Sequence, residues 1–399
     1  MGFAASKSTQ RIYLDYSATY PTCREHLEDL VKTLCSTDCN PSSTHSAGRD
    51  AKRCLEQARR IVGEVLGAPK KHIVFTSGAT ESNNTVLRSA VYSWHKNNKT
   101  SQNTLPRVVI SAIEHPSLFQ LAESMRLEGL CELVLCPVDK NGLVDSEQLL
   151  DAINSQTCLA SIMLVNNEVG TINPVAQLFQ RIKEKQPDVL CHSDVVQGLG
   201  KLDLSWLHNS AVDTAALSGH KIGALKGVGA LYAKDFLNLM PLLVGGGQES
   251  CLRSGTENIP GIVSFGMKCQ EILENLPAIE KSVQSLRAKF VEGLEKLAMV
   301  NIHSQQEFCV PHIINCGFIS VSSAAELFIS LDEAGICVST GSACSSAKAV
   351  PSRVLLAMGY SPEEASNSIR FSLSHNTNSE ELIATIAVLD KFLAAKAIS

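Results

Sequence analysis

The sequence has no apolar run that approaches the roughly 20 residues of a transmembrane helix. It has no basic excess either. A formal net charge of −5 leaves no electrostatic footprint for nucleic acid or for an anionic membrane. The 14 cysteines include no Cys-x-x-Cys pair, and Cys35 and Cys39 have no second pair to complete a zinc site, so no metal centre is expected. Residues Met1 to Gln10 lack the apolar core of a secretory signal and the arginine richness of a mitochondrial transit peptide. Met1-Gly2-Phe3-Ala4-Ala5-Ser6 fits the myristoylation pattern, which is permissive enough for the match to be chance. Internal repeats, low-complexity tracts and long linkers are also missing. These absences point to a cytoplasmic chain with no membrane and no direct nucleic-acid partner. Its cysteines are then reduced, and most are buried as small hydrophobes.

What is present is an alternation of strand-like and helix-like stretches over 399 residues, 44% of them hydrophobic. From Ser46 to Leu66 the apolar residues Ala51, Leu55, Ala58, Val62 and Val65 recur at helical spacing, with Gly67 as a stop. Strands are expected over His72–Thr76, Val108–Ser111, Cys131–Val138, Leu159–Val165, Asp188–Cys191, Asp213–Leu217 and Gly229–Ala233. Asp145-Ser146-Glu147-Gln148 reads as a capping box between two of them. Seven strands interleaved with helices imply an α/β layer with a mostly parallel sheet, whose ligands lie beyond the carboxyl ends of the strands. After Gly245-Gly246-Gly247 the pattern changes to one or two long helices over about 261–297, then short strands at Ile313–Asn315 and Phe371–Leu373. A helix after Ser361 has proline at its first position. We expect a large domain over residues 26–262 and a smaller α+β domain built from 1–25 and 263–399.

Leu217-Ser218-Gly219-His220-Lys221 closes one strand, and His192-Ser193-Asp194-Val195-Val196-Gln197 closes the strand before it. A lone lysine is usually a solvated surface charge. A lysine and an acid at neighbouring strand ends are instead what pyridoxal 5'-phosphate needs. The amine condenses with the aldehyde, and the carboxylate keeps the pyridine nitrogen protonated so that the ring accepts electrons. Ser77-Gly78-Ala79-Thr80 turns a strand into a helix, and a helix start suits a phosphate. Ala79 and Thr80 are expected to bind it, with Ser218 and His220. Arg370 opens an apolar strand, where a bare guanidinium is costly, and a substrate carboxylate would satisfy its fork of donors.

The motifs His-x-Asp-x-x-Gln and Ser-x-His-Lys, in this order, resemble those of the cysteine desulfurases, fold-type I enzymes that depend on pyridoxal phosphate. The resemblance runs from about Tyr13 to about Thr377. It implies that His115, in Glu114-His115-Pro116-Ser117, stacks on the cofactor ring and moves protons. Gln197 then donates to the phenolate oxygen, and Asn167 touches the same edge and the substrate carboxylate. Arg253-Ser254-Gly255-Thr256 matches the segment whose threonine closes the phosphate cup of the partner subunit, which implies a homodimer. The small, polar run Ser339-Thr340-Gly341-Ser342-Ala343-Cys344-Ser345-Ser346 reads as a mobile exposed loop. It matches the catalytic loop of the long-loop class of these enzymes.

The expected reaction takes sulfur from L-cysteine, leaves L-alanine and puts a persulfide on Cys344. An acceptor protein then takes the sulfur, either an iron–sulfur scaffold or a thiolation carrier. A selenocysteine lyase is the alternative, and an aminotransferase a more distant one. The sequence departs from the pattern at Ala224-Leu225-Lys226-Gly227, at the bulky pair Val195 and Val196 beside the acid, at Ser250, and at Ser374-His375.

Overall fold

The strands that carry the candidate site residues are short runs of small and branched apolar residues ending in a polar one. The computed structural model describes residues 11–35, 37, 39–98, 104–236, 239–319, 324–340 and 351–397. In it β1 (Ile12–Tyr13) opens the chain. β2 (Ile73–Thr76), β3 (Arg107–Ser111), β4 (Glu132–Cys136), β5 (Thr157–Ser161), β6 (Leu190–Asp194), β7 (Thr214–Ser218) and β8 (Gly229–Ala233) form one seven-stranded sheet in the order β2-β8-β7-β6-β5-β3-β4. All its pairings are parallel except those of β8, which runs antiparallel to both β2 and β7.

Successive side chains along these strands enter opposite cores, as the pleat requires. Phe75, Val109, Ala160, Cys191, Leu217 and Tyr232 join one cluster, which takes in helices Ser46–Val65 and Val175–Lys185. Val74, Val108, Ile110, Leu159 and Leu231 join the other, under helices Ala79–Asn97 and Pro116–Leu127. Burial on both faces explains why these strands read as near-continuous apolar runs rather than alternating ones. Each fully buried leucine or isoleucine there contributes about 1.5–3 kcal/mol.

The long helix is a single element, Ile259–Glu295, with Pro277 inside it. Its first turns pack into the core of the large sheet through Ile259, Ile262, Phe265 and Cys269. Its later turns enter a separate core through Val283, Leu286, Phe290 and Leu294. That second core covers an antiparallel sheet of β9 (Val300–Ile302), β10 (Ile313–Phe318), β12 (Ser339–Thr340) and β13 (Ser368–Ser372), while β11 (Ile336–Cys337) pairs parallel with β1. Helix Pro362–Ser366 has the full capping box, Ser361 with Glu364. Asp145 caps helix Ser146–Ala152 by accepting from Glu147 and Gln148 N–H, and Gln148 returns its side chain to the Asp145 carboxylate rather than to the backbone. Among the described residues no helix is long and apolar enough to cross a membrane.

The expected strands over 188–191 and 213–217 lie further along the chain, at 190–194 and 214–218. The shift puts Asp194 and Ser218 themselves on the last rungs of their strands. The reason is that buried polar residues at strand ends still pair through their backbone, so the apolar run alone ends the strand too early.

Candidate active site

At the carboxyl edge of the sheet, Asp194 ends β6 and pairs in register with Ala216 of β7. Five residues after Ala216, the short turn Gly219–Ile222 presents Lys221 and closes on Gly223, whose φ of 89° is a left-handed conformation open to glycine. Asp194 is buried. Its Oδ1 accepts Val196 N–H at 3.0 Å and its Oδ2 accepts Asn83 Nδ2 at 3.0 Å. The bulk of Val195 and Val196 is therefore harmless: Val195 fills the core, and Val196 serves the carboxylate through its backbone.

Asn83 connects the acid to two histidines. Its Nδ2 also donates to Ser117 Oγ at 2.9 Å, and Ser117 Oγ lies 2.8 Å from His115 Nδ1. Ser117 N–H donates to the same Nδ1 at 3.1 Å, so the His115 ring proton sits on Nε2. On its other side Asn83 Oδ1 accepts from His192 Nε2 at 2.9 Å, and His192 Nδ1 takes the Thr214 hydroxyl, also at 2.9 Å. Burial pushes His192 down to about 4. Burial likewise lowers His115, against the pull of Asp194 and with the push of Lys221 and Arg353. Both rings are neutral near pH 7. Beneath them Glu114 is fully buried, and burial with repulsion from Asp194 raises it to about 8. Its Oε1 accepts Met163 N–H at 2.6 Å, and its Oε2 has no partner among the described residues.

Lys221 Nζ donates to the carbonyls of Ser17 and Ala18, both at 2.8 Å. Gln197 Nε2 donates to the same Ser17 carbonyl at 3.0 Å, and Lys201 Nζ donates to Gln197 Oε1 at 2.7 Å. His220 Nδ1 lies 2.7 Å from Thr19 Oγ1, and burial beside Lys221 depresses it to about 4. Arg370 is already paired. It donates to Asp15 Oδ1 and to the Asn167 carbonyl, each at 2.8 Å, while its buried Nε has no partner among the described residues. The guanidinium thus meets its electrostatic need within the protein, and the Nε edge is what remains for a further acceptor.

The phosphate-type turn lies at the same edge. Gly78 caps helix Ala79–Asn97 without a side chain, which leaves the first N–H groups of the helix open. Thr80 is exposed there, and Ser77 N–H is taken by Glu81 Oε2 at 2.7 Å. Glu81 Oε1 also binds Arg253 Nε at 3.1 Å, which ties the segment leading to the exposed Thr256 to this turn. Gly229 is required by close approach: a Cβ there would sit 2.5 Å from Leu217 O and 2.6 Å from Gly78 Cα.

The structure thus brings together Lys221, Asp194, Gln197, His115, His220 and Asn167 at the carboxyl edge of the large sheet, with Ala79, Thr80 and Ser218 along it, and Arg370 reaches Asn167 from β13 of the smaller sheet. Thr256 lies on the surface, and Cys344 falls outside the described residues. Sequence reasoning missed Asp15, Ser17, Asn83, Ser117, Glu114 and Lys201. Glu114 and Ser117 flank His115 in its run, Asn83 lies three residues past Thr80, and Lys201 has only its position four residues after Gln197 to mark it.

Residues 12–384 match the family described as aminotransferase class-V. The chain is 35% identical over 387 residues to the cysteine desulfurase IscS of Clostridium botulinum, covering 96% of this chain and 94% of that one. It superposes on the structure of a NifS-like protein with a TM-score of 0.87 at 33% identity, covering 97% of this chain and 100% of the other. A structure of SspA in complex with cysteine aligns with a TM-score of 0.77 at 30% identity, over 90% of this chain and 98% of the other.

Proposed function

The chain belongs to the class-V aminotransferase family, among its cysteine desulfurases, and from that premise we propose that it binds pyridoxal 5'-phosphate, takes sulfur from L-cysteine to leave L-alanine, and carries that sulfur as a persulfide on Cys344. The full-length kinship with enzymes of that name carries the reading, and the cysteine bound to SspA supports the substrate. The residues present suit the cofactor. A helix start without a side-chain cap offers N–H groups to a phosphate. A buried carboxylate, Asp194, offers a partner for a protonated ring nitrogen.

Bound there, the cofactor would supply a carbonyl that captures amines and a cationic ring that draws electrons from the substrate Cα. Lys221 would hold the cofactor through its amine and, when free, would take and return the substrate Cα proton. Asp194, fixed by Asn83 and Val196 N–H, would face the ring nitrogen. Gln197 would donate to the phenolate oxygen, and Ser218, His220, Ala79 and Thr80 would hold the phosphate. His115 is neutral with its proton on Nε2, so it would pack on the ring without opposing the ring's charge. Arg370 and Asn167 receive the substrate carboxylate.

Cys344, as thiolate, attacks the substrate sulfur. The S–S bond forms as the Cβ–S bond breaks, the electron pair stays with the carbon skeleton, and a proton completes alanine. An acceptor protein, an iron–sulfur scaffold or a thiolation carrier, then takes the outer sulfur. We take the enzyme as a cytoplasmic homodimer with a large domain over 26–262 and a small domain over the remainder. The exposed apolar run Leu242, Leu243 and Val244, shortly before Thr256, supports the pairing of two copies. Light scattering of the purified protein tests it.

The deciding experiment uses two variants. Cys344→Ser is expected to keep the visible absorption band of the cofactor and to release no sulfide from L-cysteine. Lys221→Ala is expected to lose the band. Normal sulfide release by Cys344→Ser overturns the role of Cys344.

A further inference from the structure

Lys201 is a buried lysine that the reaction above does not use. Among the described residues it forms no ion pair, and its side-chain hydrogen bond goes to Gln197 Oε1 at 2.7 Å. Lysine is almost never fully buried without a carboxylate partner. Here its surroundings are cationic. Burial, Lys221 and Arg370 together lower it to about 7, and His312 shares with it a cavity of about 50 Å³ behind Lys221. A packing role alone would be served better by leucine or methionine, which carry no desolvation cost.

The two neighbours of Gln197 explain the arrangement. A carboxamide can face either way, with oxygen and nitrogen exchanged. The Ser17 carbonyl only accepts, and a lysine ammonium only donates. Both therefore impose the same orientation, with Oε1 turned to Lys201 and Nε2 to Ser17. The Ser17 carbonyl also receives Lys221 Nζ at 2.8 Å, so the Nε2 edge of Gln197 lies on the side of the catalytic amine. One Nε2 hydrogen is committed to Ser17, and the other remains.

We propose that Lys201 is a positioning residue: by donating to Gln197 Oε1, it locks the carboxamide with its N–H edge toward Ser17 and Lys221, the side from which the phenolate oxygen of the cofactor is gripped. This rests on the cofactor reading above. Loss of the lock leaves the Ser17 carbonyl alone to hold the amide, which then spends part of its time with its oxygen, instead of an N–H, toward the phenolate.

The test is a pH titration of the visible band of the cofactor-loaded protein, for the wild type, Lys201→Met, Lys201→Arg, Gln197→Leu and the double variant Lys201→Met/Gln197→Leu. A donor to the phenolate favours its ionised form. Lys201→Met is therefore expected to raise the band's pH midpoint by about one unit, a tenfold change in proton affinity. Lys201→Arg, which keeps a donor, is expected to restore most of the wild-type midpoint. In the Gln197→Leu background the Lys201 substitution is expected to move it no further, because the two act through one bond. A midpoint unchanged by Lys201→Met overturns the proposal, and so does an equal shift in the Gln197→Leu background. If Lys201→Met does not fold, Lys201→Gln is titrated in its place with the same expectations. A wild type that gains no band with the cofactor refutes the cofactor reading instead, so the two failures are distinct.

Discussion

Removing the Glu249 carboxylate is expected to cost about 4 kcal/mol of stability, and the figure can be worked from its partners. Glu249 is buried and receives Arg59 through two bonds, Nη1 to Oε2 at 2.5 Å and Nη2 to Oε1 at 2.6 Å. Oε2 also accepts Phe75 N–H at 2.8 Å, an edge-strand donor that the sheet leaves over, since β2 pairs on one side only. Breaking a buried pair by deleting one partner costs about 3–5 kcal/mol, because the remaining charge stays out of water. Arg59 would keep Glu56 Oε1 at 3.1 Å and the Ile73 carbonyl at 2.9 Å, which favours the lower part of that range. The orphaned Phe75 N–H adds about 1–3 kcal/mol, partly relieved by water at the strand edge. The assay is urea unfolding of Glu249→Ala, followed by tryptophan fluorescence and compared with wild type. The paired replacement Arg59→Met/Glu249→Leu is expected to recover most of the loss, since it removes the stranded charge as well as the bond. A loss below about 1 kcal/mol for Glu249→Ala, or a double variant as weak as the single one, would refute the reasoning.

Two buried groups shape the pH dependence in opposite senses. His192 titrates near 4 when folded, against an ordinary 6.5. Between those values the unfolded chain binds a proton that the native ring refuses, so stability falls by about 1.4 kcal/mol per pH unit as the pH drops through that window. His192→Gln should flatten this acid limb in urea titrations, and an unchanged slope would remove His192 from it. Glu114 titrates near 8 when folded, against an ordinary 4.5. Its contribution is complete below about pH 4.5 and is lost as the pH climbs toward 8, because the native state alone holds the proton in between. Glu114→Gln should therefore hold its stability better than wild type on the alkaline side, and parallel curves would contradict this. Gly229→Ala would drive a Cβ to within 2.6 Å of Gly78 Cα. It is expected to displace the Gly78 turn and weaken pyridoxal phosphate binding by about tenfold in an absorbance titration, whereas wild-type affinity would show that the turn tolerates the methyl.

Much of the fold was legible because the large sheet is buried on both faces. Runs such as Val108-Val109-Ile110 and Ala215-Ala216-Leu217 have no polar face to show, and glycine or polar turns bound each of them. The site was legible where side-chain type carries chemistry: Lys221, Asp194, His115 and Gln197 each have a functional group that few structural positions require. Asn83 was not, although it lies three residues past Thr80. An asparagine after a helix start reads as a solvated polar residue, and only the fold reveals that it faces Asp194 and His192 at once. Arg370 was half legible. Its need for a partner was clear from its apolar strand, but the partner, Asp15, lies 355 residues away, just past a strand of only two residues.

The least legible part is the N-terminal segment, and the reason is general. Residues 15–20 serve the site through groups that every residue carries. The Ser17 carbonyl binds both Lys221 and Gln197, the Ala18 carbonyl binds Lys221, and Ser17 N–H is held by Ser372 Oγ at 2.9 Å on β13. Tyr20 N–H reaches the His220 carbonyl at 2.9 Å, and Asp15 joins Arg370 to Ser339 Oγ. One short stretch therefore links the Lys221 turn of the large sheet to β12 and β13 of the small one, mostly by backbone atoms. A carbonyl gives two lone pairs whatever its side chain, so it can orient two donors at once and leave no mark on the sequence. That makes the placement of Lys221 depend on the path of the chain at Ser17 more than on the identity of the serine. It also ties Arg370 on the small sheet to the amine on the large one. A change that moves this segment would disturb both grips together, which separate substitutions at Lys221 and Arg370 could not do.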